Sequence, residues 1–206
     1  MRQKKLHPWP VRLTHWLNAA CMVCMFMSGW AIYNASPLFS FRFPVSLTVG
    51  GWLGGALAWH FAFMWLLLIN GAIYVLYGLA SRHFKRELLP IGIAALKHDL
   101  TDALRFRLVH EKGVYNAVQR LMYWIVLAAG VLIVISGVAI SEPVQLQELV
   151  ALLRGYDDGR YVHFAAMAMI AAFVVIHLVL VILVPKTLVP MITGGVRTPD
   201  NEKNGS

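Results

Sequence analysis

The sequence predicts an all-α fold: a four-helix transmembrane bundle, both termini cytoplasmic, with a cytoplasmic amphipathic helix between spans two and three. Three observations predict it. Of the 206 residues, 59% are hydrophobic and 14% charged, against about 45–50% and about 25% in an ordinary soluble domain. Four nearly charge-free stretches of about twenty residues match a hydrocarbon core about 30 Å thick. The 18 Lys and Arg are shared very unequally among the connections. A basic nucleic-acid-binding tail would be poor in Leu, Ile, Val and Phe, and this chain is rich in them, so no nucleic-acid partner is expected. Two cysteines cannot make a disulfide framework.

The spans are expected at about 13–33, 57–80, 121–140 and 161–184, with Pro37, Pro44, Pro143 and Pro185 outside them. Trp16, Trp30, Tyr33, Trp59, Tyr77, Tyr123, Trp124 and Tyr161 mark their ends, where amphipathic rings sit at headgroup level. Orientation follows from the basic residues, which cytoplasmic loops retain. Fifteen fall in the N-terminal arm, the segment between spans two and three, and the C-terminal end; only Arg42, Arg154 and Arg160 fall on the other side. The first span is expected to stay uncleaved, because no A-x-A-like site follows Tyr33. Leu96, Leu100, Leu104 and Leu108, with Lys97, Asp99 and Arg105 among them, predict the interfacial helix. A shorter amphipathic stretch covers 145–154. Residues 1–190 are expected to form one transmembrane domain in the bacterial inner membrane, and 191–206 a disordered tail. No internal repeat is evident.

An ionisable residue within a span is a functional hypothesis by default. Four of the eight histidines qualify: His15, His60, His163 and His177. Given the topology, His15 lies near the cytoplasmic face and His60 near the periplasmic face. His163 and His177 are fourteen residues apart on the fourth span, about 21 Å and nearly four whole turns, so they share one face at two depths. Two pairs result, His15 with His177 and His60 with His163. Each pair suits a flat apolar cofactor held between helices, and haem fits, with imidazoles as axial ligands. Zinc or copper would want three or four ligands at one depth. Arg12, Arg120 and Arg160 stand where haem propionates would reach, and equally serve as topology charges. His7, His83, His98 and His110 fall in cytoplasmic segments.

The opening His7-Pro-Trp-Pro-Val-Arg-Leu-Thr-His15-Trp16-Leu-Asn18, the Ser28-Gly29 that follows, His60 and the His163-x13-His177 spacing resemble one family. It comprises the membrane dihaem b-type cytochromes of nickel-iron hydrogenases, the formate dehydrogenase gamma subunits and the bacterial cytochrome b561-like proteins. The resemblance covers all four spans. It implies that the four histidines bind two haem b groups and that electrons pass between a periplasmic redox partner and membrane quinone. The stretch Tyr115-Asn116-Ala117-Val118-Gln119-Arg120 is similar to the formate dehydrogenase segment that approaches the quinone, with Val118 in place of a glycine. That similarity makes Asn116 and Gln119 quinone-binding candidates, and the same two residues fit a helix N-cap and its capping box. Cys21 and Cys24 form C-x-x-C, but Met25 follows where covalent haem attachment needs His.

The expected function is therefore that of an electron-transfer subunit of a quinone-linked oxidoreductase. Its partner is a periplasmic hydrogenase, a molybdenum enzyme or a soluble cytochrome, and homo-oligomerisation stays open. Two other classes compete. One is a stand-alone haem oxidoreductase such as a superoxide:quinone oxidase, which needs a cationic external entry near His60. The other is a cofactor-free transporter or structural protein, which the paired histidines and the lack of broken helices in matched halves disfavour.

Overall fold

The computed structural model describes residues 2–5, 9–80, 98–99, 101, 117–185 and 188–198. Four long helices dominate: α1 (Trp9–Ala35), α2 (Leu53–Ala80), α3 (Ala117–Ser141) and α5 (Tyr156–Leu183). Each contains a segment apolar and long enough to cross a membrane. Two short helices, α4 (Gln147–Leu152) and α6 (Leu188–Thr193), and a 3-10 turn at Val45–Leu47 are also described, and residues 98–99 and 101 are helical. The fold class is the expected one, with one addition. Strands β1 (Arg2–Lys5) and β2 (Gly195–Thr198) pair antiparallel, Arg2 opposite Thr198 and Lys5 opposite Gly195. Of the expected tail 191–206, residues 191–198 thus belong to α6, Gly194 and β2. Most of the expected interfacial helix at 96–108 lies outside the described residues.

Every span is longer than its apolar stretch, for local reasons. Helix α1 starts at Trp9, and Pro10 sits in its first turn, where a missing N–H costs nothing. It stops at Ala35, before the Ser36-Pro37 step that disfavours the α conformation. Helix α2 begins at Gly54's neighbour Leu53, ahead of the expected 57, because the loop folds tightly onto its first turn. A Cβ on Gly55 would lie 2.2 Å from the Gly50 carbonyl oxygen, and Gly50 itself has φ +107. Both positions therefore require glycine. The Ala117 N–H at the start of α3 donates to the Asp99 carboxylate at 2.8 Å. Asp157 and Asp158 fill the first turn of α5, where carboxylates favour the positive end of the helix dipole.

The distribution of side chains is that of a protein solvated by lipid. Trp65, Leu76, Val175 and Ile182 are 60–75% exposed, whereas most buried residues of the long helices are small, Cys21, Ala56, Ala129, Ala139 and Ala166 among them, with the polar Ser28, Asn70 and Ser136; Tyr33 and Ile170 are the larger ones. Hydrocarbon gives large apolar groups no reason to hide, so helices meet through small residues and hydrogen bonds. The chain forms two compact units, one of Met1–Leu76 with Val179–Ser206, the other of Tyr77–Leu178. In the first, α1 and α2 run antiparallel, Ser28 beside His60 and Asn18 beside Asn70. In the second, α3 and α5 do the same, Ser136 beside His163 and Ile140 beside Gly159.

Candidate functional site

In the first unit, His60 projects from the third turn of α2 towards α1. Its Nδ1 lies 3.0 Å from Ser28 Oγ. That hydroxyl lies only 2.7 Å from the Cys24 carbonyl one turn back. A hydroxyl has one proton and a carbonyl only accepts, so the proton goes to Cys24 and the imidazole must donate to Ser28. His60 is therefore the Nδ1–H tautomer, and Nε2 carries the lone pair. Gly29 faces the same ring, and a Cβ there would stand 3.5 Å from His60 Cε1.

The second unit repeats the arrangement. Ser136 Oγ donates to the Leu132 carbonyl at 2.7 Å and lies 3.1 Å from His163 Nδ1. The Ile133 carbonyl is a further 3.1 Å acceptor for the same nitrogen, which fixes Nδ1 as protonated without appeal to the serine. A Cβ at Gly137 would stand 3.1 Å from His163 Cε1, so the imidazole lies tight against bare backbone. The correspondence extends to position. Ser28 and Ser136 are each the twentieth residue of their helix, and His60 and His163 each the eighth of the helix they face. The sequence does contain an internal repeat, a helix pair built on Ser-Gly and His, hidden because the few residues that carry it are embedded in interchangeable apolar ones.

His15 and His177 stand at other levels and outside the repeat. His15 sits in the second turn of α1, edge-on to Trp16 with ring centroids 5.3 Å apart. Asn70 marks its level on α2, donating to the Thr14 carbonyl at 3.0 Å and to Asn18 Oδ1. Asn70 is ten residues beyond His60, about 15 Å along the helix. His177 stacks on Phe173 one turn earlier, centroids 6.1 Å apart, and α5 runs unbroken between it and His163. Each unit thus carries imidazoles at two levels.

Among the other expected residues, Arg12 donates from Nε to the Met191 carbonyl at 3.2 Å and from Nη2 to that of Ile192, joined by Trp16 Nε1 on Met191 at 3.2 Å. These bonds dock α6 against the start of α1. Arg160 pairs with Asp157 at 3.6 Å one turn back. Gln119 and Arg120 lie in the first turn of α3, and Asn116 lies outside the described residues. Cys21 and Cys24 are free thiols, Cys21 fully buried. Sequence reasoning missed Ser136 and Asn70 altogether, and it noted Asn18 and Ser28 only as parts of a motif. Polar side chains this small are ordinary in apolar helices, and only the facing partner reveals their use.

Four membrane-crossing helices that carry imidazoles along their spans, two of them held as the Nδ1–H tautomer, define a class: multi-pass membrane proteins that ligate an apolar cofactor through histidine. The comparison with known families makes the class specific. The family of prokaryotic cytochrome b561 matches residues 6–194, and the chain belongs to that family. It is accordingly a bacterial multi-pass membrane protein that binds haem b and transfers electrons. A similar protein is the "Putative protein-methionine-sulfoxide reductase subunit YedZ1" of Azospira oryzae, 46% identical over 190 residues that cover 92% of this chain and 96% of that protein. The residues present fit haem. Ligating imidazoles almost always donate their second N–H to a nearby acceptor, as His60 and His163 do, and Gly29 and Gly137 leave room beside the rings.

Proposed function

We propose that the protein holds two haem b groups at two depths of the bacterial inner membrane, that His15, His60, His163 and His177 would hold them through Nε2, and that it carries electrons between membrane quinone and a periplasmic redox enzyme. The observation that carries this reading is the pair His163 and His177, fourteen residues apart on one unbroken helix. That spacing is about 21 Å on one face, too far for one porphyrin and in register for two.

When bound, haem b supplies a one-electron ferric/ferrous couple. This chain's residues do the rest. His60 and His163 present Nε2 because Ser28, Ser136 and the Ile133 carbonyl hold their Nδ1 protons. The apolar helices exclude water from the path. Arg12, Arg120 and Arg160, near span ends, neutralise propionates; the two bonds of Arg12 to α6 use two of its five donors. Asn116 and Gln119 bond the quinone oxygens at the cytoplasmic side. The name of the Azospira oryzae relative supports a partner that reduces methionine sulfoxide. Electrons then leave the membrane: quinol gives up two electrons and two protons, and sulfoxide takes up two of each to yield methionine and water.

Haem extraction and a reduced-minus-oxidised spectrum of the purified chain test this reading. Two haems per chain and two b-type titration steps are expected. One haem per chain, or none, overturns it.

A further inference from the structure

We propose that Ser28 and Ser136 are positioning residues, each of which sets the reduction potential of the haem iron held through its own imidazole partner, His60 for Ser28 and His163 for Ser136. The inference rests on the ligation proposed above and deepens it. Each serine is fully buried, each spends its proton on the carbonyl four residues back at 2.7 Å, and each offers its lone pair to an imidazole Nδ1–H at 3.0 or 3.1 Å. The back-bond is what makes the serine an acceptor only. A hydroxyl left to rotate could donate to Nδ1 and so stabilise the opposite tautomer, with Nε2 protonated and unable to bind iron. With its proton committed, Oγ can only pull on the Nδ1 proton. That pull makes Nε2 more basic and a better donor to ferric than to ferrous iron, which lowers the potential. The same atoms recur at the same helix positions in both units, although the residues around them differ. Two independent occurrences argue against incidental packing.

The adjacent glycines complete the device. A serine can reach a neighbouring helix's ring only if the backbones are close, and Gly137, whose Cβ would crowd His163 Cε1 at 3.1 Å, allows that approach.

The test is a redox titration of the purified haem-loaded protein, read by the b-type absorption band and by the electron paramagnetic resonance of the ferric haems. Ser28→Ala and Ser136→Ala are each expected to keep haem, shift the ferric resonance and raise the potential of a titration step, Ser136→Ala by less because the Ile133 carbonyl still accepts from His163 Nδ1. At the wild-type midpoint the reduced-to-oxidised ratio rises about tenfold, ~59 mV for one electron. Thr and Val have nearly the same shape and differ in the hydroxyl, so Ser28→Thr restores the wild-type potential and Ser28→Val does not. This pair carries the test even where an alanine variant fails to assemble. Unmoved potentials and resonances in the haem-loaded serine variants overturn the inference, and so does equal behaviour of Thr and Val. His60→Ala separates the two readings. Full haem content in that variant overturns the ligation itself, whereas loss of a haem there with unmoved serine variants overturns only the role of the serines.

Discussion

A histidine in hydrocarbon is expensive when its polar atoms go unanswered, and His163 shows how that expense is met. Its Nδ1–H has two acceptors within 3.1 Å, Ser136 Oγ and the Ile133 carbonyl. Nε2 is then the nitrogen whose lone pair a ligand would use. His163 and His177 stand about 21 Å apart, so truncating either is expected to remove one haem and spare the other. His163→Ala and His177→Ala should each retain about half the wild-type haem, with different titration steps missing. Loss of the same step in both variants, in folded protein, would contradict ligation at two depths. These histidines were legible in the sequence because a titratable group stands out against apolar neighbours. Ser28, Ser136 and Asn70 were not, since nothing in a serine's local sequence says which helix it will face.

At the scale of elements, the apolar stretches located all four long helices and misplaced their starts. Scanning for uncharged windows ends a span at the first charge, whereas a helix continues as long as its backbone bonds do. In α5 the five residues before Tyr161 include Asp157, Asp158 and Arg160, and they form the first turn and a half, with carboxylates at the favourable end of the dipole. The short α4 ends in a left-handed cap: Arg154 has φ 67, its N–H donates to the Ala151 carbonyl, and the Gly155 N–H to that of Val150. Glycine is the usual residue in such a cap, and an L side chain there costs about 1–2 kcal/mol. Arg154 gains little in return, because its contact with Asp158 is 3.9 Å long and largely exposed, worth at most a few tenths of a kcal/mol. Arg154→Gly is therefore expected to stabilise the protein by about 1 kcal/mol, seen as a higher unfolding temperature in detergent. An unchanged or lower temperature would mean that the arginine has a role beyond the cap.

For the whole molecule, two independent observations bear on how the chain sits in its membrane. Pairing of residues 2–5 with 195–198 brings both ends of the chain to one side, as four crossings require. The ribbon leaves open which side that is. The charges carry the expectation: fifteen Lys and Arg fall in the segments assigned to the side of the termini and three to the other, and cytoplasmic loops are the ones that keep basic residues, so cytoplasmic termini are expected. A green fluorescent protein fused after Ser206 folds only in the cytoplasm, and alkaline phosphatase inserted at Val144 is active only outside. Fluorescence from the first fusion and phosphatase activity from the second are expected in intact cells. The reverse pattern would invert the protein in the membrane and overturn the orientation read from the charges.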